Sequence, residues 1–296
     1  MACRQELNVR YAINNWVYND EPLRDTFKRL AKYGYDGVEL KGEIQQYDVA
    51  EVKALCREFN LQVTSVLGWN IYPIPGRDLA SPDETERWAA LRYGGECIDF
   101  ADAVGAKVFV CIPAPANRVA PVGNPPDPKA WMEAAKVEWD LAVDSIRKTA
   151  KYAAKFGIEL AVEPINRYET YMVTTVDDVL RFNADVNEPN VKINLDAFHM
   201  NIDEVDPAQA VRKAGANLIH FHAADSNRLA PGRGHTDFKA ILFVLKEVGF
   251  KGAFVLEPVP PYPAPGIAIS MPEYTHLRDA FAEESIRYLK AIEASL

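Results

Sequence analysis

Eight short apolar runs alternate with eight stretches of helical periodicity along this 296-residue chain, and that alternation constrains the fold more than any other feature. The runs cover 8–13, 35–40, 61–67, 107–112, 158–163, 191–198, 218–224 and 253–257. The helical stretches cover 21–33, 48–59, 81–104, 129–156, 175–184, 207–214, 237–248 and 272–294. The runs are continuously apolar rather than apolar at every second residue, as parallel strands covered on both faces should be. Strands and helices in alternation build a parallel sheet, and eight such units close it into an α/β fold, the (β/α)8 TIM barrel. An open doubly wound sheet is the architectural alternative, but no Gly-x-Gly-x-x-Gly turn follows a strand, as its nucleotide-binding versions require. No linker or composition break interrupts the series, so residues 1–296 read as a single TIM-barrel domain. Local punctuation agrees. Asp20 before Glu21-Pro22, and Asp48 three residues before Glu51, read as helix caps, and Gly157 as a left-handed helix stop.

The formal charge of −9 argues against a polyanion such as nucleic acid as partner and leaves no polybasic membrane anchor. No apolar run is long enough to span a bilayer, and the first residues lack the apolar core of a signal peptide. Cys3, Cys56, Cys97 and Cys111 show no Cys-x-x-Cys spacing, so reduced thiols in a cytoplasmic protein are expected. The long helices and mouth loops offer surface for a homodimer or homotetramer.

In a closed barrel, side chains at the carboxyl ends of the strands converge on one mouth. Two of these ends share a device. The runs Leu160-Ala-Val-Glu163 and Phe254-Val-Leu-Glu257 each stop on a glutamate locked by a following proline, Pro164 or Pro258. Between them, the sixth strand offers Asp196 and the seventh His220 and His222. Taken singly, each is as readily an ion-pair partner or a hydrogen-bonded core residue. Together, on four neighbouring strands, they would be buried carboxylates without counter-ions unless they hold a cation. Carboxylates with one imidazole favour a hard or borderline divalent ion, Mn²⁺ or Mg²⁺ ahead of Co²⁺ and Zn²⁺. Such an ion keeps positions for two oxygens of an α-hydroxy carbonyl substrate.

Several segments resemble one family. Glu-Pro-Ile-Asn-Arg-Tyr-Glu-Thr at 163–170, Asn-Leu-Asp-Ala-Phe-His-Met-Asn at 194–201, His222 with Asn227-Arg228 beyond it, and Leu256-Glu257-Pro258 are similar to the ketose 3-epimerases. These are the D-tagatose and D-psicose (D-allulose) 3-epimerases of the xylose-isomerase-like barrel superfamily. The resemblance implies a TIM barrel, a small-molecule sugar substrate and a divalent metal, most often Mn²⁺. It implies Glu163, Asp196, His222 and Glu257 as metal ligands, with His222 preferred over a deeper, structural His220. It also implies Glu163 and Glu257 as the catalytic pair that moves protons on opposite faces of the sugar through a cis-enediolate. Glu169, His199 and Arg228 would bind the O1 to O3 end of the substrate. Inversion needs carboxylates on both flanks, whereas a 1,2-shift needs one.

The segment 224–226 stands where the family pattern has a Glu-containing segment, and 232–238 is closer to the wider superfamily, which includes hydroxypyruvate isomerases and inosose dehydratases. The rival readings are therefore an aldose–ketose or hydroxypyruvate-type isomerase, a keto-cyclitol dehydratase, or a sugar-binding barrel subunit without activity. Trp16, Tyr18, Trp69 and Tyr72 follow the first and third strands, where they could pack on a sugar. Arg118, Arg233 and Lys239 are the cations that a phosphate would use. The proline-rich stretch from Pro113 to Pro128 is read as a functional mouth loop.

Overall fold

The computed structural model describes residues 9–262 and 264–296. Asn8, Cys3 and the amino-terminal segment read above lie outside the described residues, as does Pro263. The strands are β1 (Arg10–Asn14), β2 (Gly37–Lys41), β3 (Gln62–Leu67), β4 (Val108–Cys111), β5 (Glu159–Val162), β6 (Val191–Asp196), β7 (Leu218–Ala223) and β8 (Ala253–Leu256). They pair in parallel, in sequence order, and β1 closes on β8. The expected (β/α)8 TIM barrel is therefore the fold. The described helices are α1 (Leu23–Tyr33), α2 (Val49–Phe59), α3 (Glu84–Val104), α4 (Pro128–Ala154), α5 (Val176–Val186), α6 (Ala197–Asp203), α7 (Pro207–Ala214), α8 (Phe238–Glu247), α9 (Pro265–Ala268) and α10 (Thr275–Glu293).

Local chemistry explains most boundaries. Asp48, Asp83, Asp127, Asp206 and Asp237 each accept a backbone N–H at the start of their helix, and Thr175 forms a full capping box with Asp178. Asp20 does not act as a cap. Helix α1 begins after Pro22, which stands at the N-cap without a side-chain acceptor, and the Asp25 N–H bonds the Pro22 carbonyl at 2.9 Å. The sixth strand is shorter than 191–198. Asp196 turns its side chain to the Phe198 N–H at 2.9 Å and starts α6, a helix absent from the sequence reading.

Two apolar compartments hold the barrel. The larger lies between sheet and helices, where Phe27, Phe182, Phe221, Phe238 and Phe254 are fully buried, each contributing about 1.5–3 kcal/mol on burial. The smaller is the barrel interior itself, where Ala12, Ala253 and Val255 form a separate cluster. Above these small residues, toward the mouth, the interior turns polar, with Asn14, Glu39, Ser65, His220 and His222 all buried.

Two register shifts aim that polar layer. Val38 pairs with Val63 but Glu39 pairs with Ser65, so Thr64 is an extra residue on β3. Ile193 pairs with Leu218 but Asn194 pairs with His220, so Ile219 is an extra residue on β7 and Asp196 comes level with His222. A bulge re-aims the side chains beyond it. At each one the adjacent strand has a glycine. A Cβ on Gly37 would meet the Gln62 carbonyl oxygen at 2.4 Å and Thr64 Cγ2 at 2.8 Å. A Cβ on Gly252 would meet the Ile219 carbonyl oxygen at 1.9 Å.

Candidate active site at the barrel mouth

Strands β5 to β8 deliver the four metal-competent groups to one place. Glu163 follows β5, its backbone N–H bound to the Cys111 carbonyl (3.0 Å), and Pro164 ends the ladder. Asp196 closes β6, His222 lies within β7, and Glu257 follows β8 with its N–H on the Ala223 carbonyl (3.0 Å). All four are buried. Donor atoms of Glu163, Asp196 and His222 lie within 4.8 Å of one another. His222 Nδ1 is 3.2 Å from Glu163 Oε1 and 3.8 Å from Glu257 Oε2.

The other imidazole nitrogen faces inward. His222 Nε2 is 2.9 Å from Glu39 Oε1, and His220 Nε2 is 2.9 Å from Glu39 Oε2. Asn14 Nδ2 and Ser65 Oγ donate to the same carboxylate, each at 2.6 Å. Glu39 escaped the sequence reading. Its signal was a charged residue between Val38 and Leu40 in an otherwise apolar run, a position that only partners can stabilise. Glu39 with His220 and His222 forms a second tight group, which makes His220 part of the scaffold beneath the site.

Arg228 closes the cluster from above. It adopts a left-handed backbone (φ 61°), a conformation uncommon for a side-chain-bearing residue. Its guanidinium spans Asp196 Oδ2 (2.5 Å) and Glu257 Oε2 (2.6 Å) and lies over the Phe198 ring. Arg228 is thus not a solvated surface residue but holds two of the four expected ligands. Trp16, in the turn after β1, donates its indole N–H to Glu257 Oε1 at 2.7 Å. The rim is completed by His199 on α6. Both the backbone N–H (3.3 Å) and the Nδ2 amide (2.8 Å) of Asn166 approach its Nδ1, so the ring proton is on Nε2, 3.6 Å from Asp196 Oδ2. Glu169 accepts from Asn166 Nδ2 at 2.9 Å, with its carboxylate 4.0 Å from His199 Nδ1. Each site residue expected from sequence therefore borders one mouth.

The charges are unequal in consequence. Burial works against the Asp196 carboxylate, but Arg228, then His199 and His222, hold it below the usual range. Burial pushes the Glu257 carboxyl up, and His222 and Arg228 do not fully offset this. Burial opposes the His222 imidazolium, yet Glu257, Glu39 and Glu163 keep it well above an ordinary histidine. A region this rich in carboxylate oxygens attracts positive charge, and the donor set suits a divalent cation. A cation taken up by Asp196 and Glu257 competes with the Arg228 guanidinium for their oxygens.

The other expectations separate. Trp69 lies 6.1 Å from Trp16 ring to ring, so these two form the aromatic wall of the mouth. Tyr18 instead turns away, buried under Arg29. Tyr72 is exposed. Arg118 is buried between Asp78 (3.1 Å) and Glu138 (2.5 Å) and is not available to a phosphate, whereas Arg233 pairs with Glu284 (2.6 Å) at an exposed position and Lys239 is exposed on α8. Backbone bridges from Ile71 to Ala116 and from Arg118 to Thr170 tie the proline-rich loop after β4 to the segments after β3 and β5. No helix among the described residues is long and apolar enough to cross a membrane.

Comparison with known proteins places this architecture. The chain is 32% identical over 236 residues to a D-psicose 3-epimerase of Agrobacterium fabrum, covering 78% of this chain and 77% of that protein. It is 29% identical to the 3-dehydro-D-guloside 4-epimerase of Escherichia coli, covering 84% and 92%. Among solved structures it is similar to the D-allulose 3-epimerase of a Methylomonas species in complex with D-allulose, with 26% identity, a TM-score of 0.80 and 96% of each chain covered. A family model described as xylose isomerase-like TIM barrel matches residues 27–292. With that match spanning nearly all of the strands and helices described above, the chain belongs to the xylose isomerase-like TIM barrel family.

Proposed function

We propose that this chain is a single-domain, divalent-metal-dependent isomerase that inverts a free ketose at C3. One observation carries the reading: Glu163 and Glu257 approach the same His222 nitrogen from different strands, at 3.2 and 3.8 Å. A carboxylate on each side of a bound sugar is what inversion requires, since one base removes the proton and a second acid returns it from the far face. Glu163, Asp196, His222 and Glu257 are the residues that would hold the cation, with Mn²⁺ the first choice and Mg²⁺ or Co²⁺ behind it. When bound, the ion supplies positive charge that stabilises the anion formed as the carbon beside the carbonyl loses its proton.

The protein's own groups do the rest. Trp16 and Arg228 donate to Glu257, fixing its carboxylate at the mouth, while the Pro164 stop and His222 fix Glu163. His199 directs its Nε2 proton inward and Glu169 accepts beside it, a donor and an acceptor suited to adjacent sugar hydroxyls. Arg228 holds oxygen as a fixed cation. Burial of the cluster excludes water from the intermediate. The burial of Arg118 between Asp78 and Glu138 supports a sugar without phosphate.

Incubation with ketohexoses and ketopentoses in D₂O tests this. The expected product is the C3 epimer carrying deuterium at C3. A 1,2-isomer, a dehydrated product or no turnover on any ketose would sink the assignment. The similarity to a dehydro-guloside 4-epimerase favours one second reading, the same inversion at a carbon beside a keto group within a glycoside. A 3-keto glycoside in the same panel separates the two.

A further inference from the structure

Glu39 lies beneath the site, fully buried, on a strand that contributes none of the expected ligands. An ionised carboxylate only accepts, at about four lone-pair positions. Glu39 has four donors on its two oxygens: Asn14 Nδ2 and His222 Nε2 on Oε1, Ser65 Oγ and His220 Nε2 on Oε2. Every position is filled, so the charged form is fully satisfied, and the nitrogen that His222 turns toward Glu39 must carry a proton. That leaves Nδ1 facing Glu163 and Glu257, where it shares a proton with Glu163 until a cation takes its lone pair. The contact spans the barrel from β2 to β7, and the Thr64 bulge is what brings Glu39 level with Ser65.

We propose that Glu39 is a positioning residue that fixes the Nε2–H tautomer and ring orientation of His222, so that Nδ1 is the nitrogen presented to the cation. This rests on the metal-dependent reading above. The chemistry is general: an imidazole ligand whose far N–H is held by a carboxylate is a better-oriented and more basic donor, and loss of such a support costs about 10- to 100-fold in metal affinity. His220 completes the arrangement without being a ligand. Its Nδ1 is buried with no hydrogen-bond partner among the described residues, and its Nε2 faces Glu39 and Ser65.

Two substitutions separate this role from simple packing. Glu39→Leu keeps the volume and removes the acceptor. Glu39→Gln keeps one carbonyl for His222 and can turn its amide to Ser65 and His220, both able to accept. Titration of metal-free protein with MnCl₂ by calorimetry should give a dissociation constant about 10- to 100-fold weaker for Glu39→Leu, with Glu39→Gln losing less. Nitrogen-15 spectra of histidine-labelled wild type, with Zn²⁺ as a diamagnetic probe, should show His222 protonated at Nε2 and coordinated through Nδ1. Folded Glu39→Leu that binds Mn²⁺ within about twofold of wild type overturns the role of Glu39 and leaves the metal reading intact. Wild type that binds no Mn²⁺ overturns both. If Glu39→Leu does not fold, the wild-type spectrum decides alone, and a His222 coordinated through Nε2 refutes the proposal.

Discussion

The two halves of the barrel leave their buried polar side chains in different states of hydrogen bonding. On β5 to β8, Glu163, Asp196, His222 and Glu257 gather toward the carboxyl ends of the strands. On β1 to β3, Asn14 ends its strand while Glu39 and Ser65 lie within theirs. The first group meets at open valences, three carboxylates and an imidazole with too few donors among them. The second group is closed, each acceptor matched to a donor inside the protein. Reactivity therefore belongs to one half and geometry to the other. Hydrogen bonds join them: Glu39 to His220 and His222, Ser65 to His220, and Trp16 to Glu257, with Asn14 Oδ1 holding the Trp16 N–H at 3.0 Å.

That division can be broken in steps. The largest effect is expected in the reactive half. Glu163→Gln and Glu257→Gln should each lower kcat by about 10²- to 10⁴-fold while the protein stays folded. Circular dichroism beside the ketose assay checks both, and retained turnover in either removes that residue from proton transfer. Next is Arg228→Met, which leaves Asp196 and Glu257 facing each other without their buried counter-charge. Metal-free protein should lose about 3 kcal/mol of stability. Added Mn²⁺ should raise Tm more in the variant than in wild type, since the competing guanidinium is gone. An equal rise in both would place the cation away from these carboxylates.

A smaller effect is expected at Asp225, in the loop after β7, which takes backbone N–H groups from Ser226, Gly232 and Thr236. Burial alone would raise its pKa, but those bonds outweigh it and hold the carboxyl below its ordinary value of 3.8. A depressed carboxylate stabilises the fold above its unfolded value, and that stability is lost as pH falls through the folded one. Asp225→Asn should therefore cost about 1.5–3 kcal/mol at pH 7. Its deficit in Tm should narrow as the pH drops below about 4, where the wild type also loses the charge. A constant gap across that range would show the charge to be irrelevant.

Trp16→Phe sharpens the link between the halves and should be the mildest. Losing one donor to a charged acceptor costs on the order of 1.5 kcal/mol, or about tenfold in kcat/KM. The indole N–H favours ionised Glu257, so its removal raises that carboxyl further, and the acid limb of the rate profile should move to higher pH. An unmoved limb would detach Trp16 from the chemistry.

Sequence made the reactive half legible because its residues end strands, and chain ends are punctuated. Pro164 and Pro258 mark Glu163 and Glu257, and the eight-fold alternation says that such ends converge. Helix α6 was hidden because Asp196-Ala-Phe-His-Met reads as a continuing apolar run, although Asp196 is a good N-cap. The supporting half was hidden for a different reason. Glu39 has no local punctuation, and nothing short of the closed barrel reveals that its partners come from β1, β3 and β7. Asp20 misled because the helix starts two residues later than Glu21, with Pro22 rather than an aspartate at the N-cap.

Gly37 and Gly252 carry no chemistry, yet both grant room for the inserted residues Thr64 and Ile219. Strand parity beyond each insertion is reversed, so the facing of Ser65, His220 and His222 depends on two hydrogen atoms where side chains would otherwise stand. Anyone transplanting this constellation into another scaffold would have to carry those kinks and their neighbouring gaps along with the acids and imidazoles. Copying only the polar groups would point half of them into the helical shell.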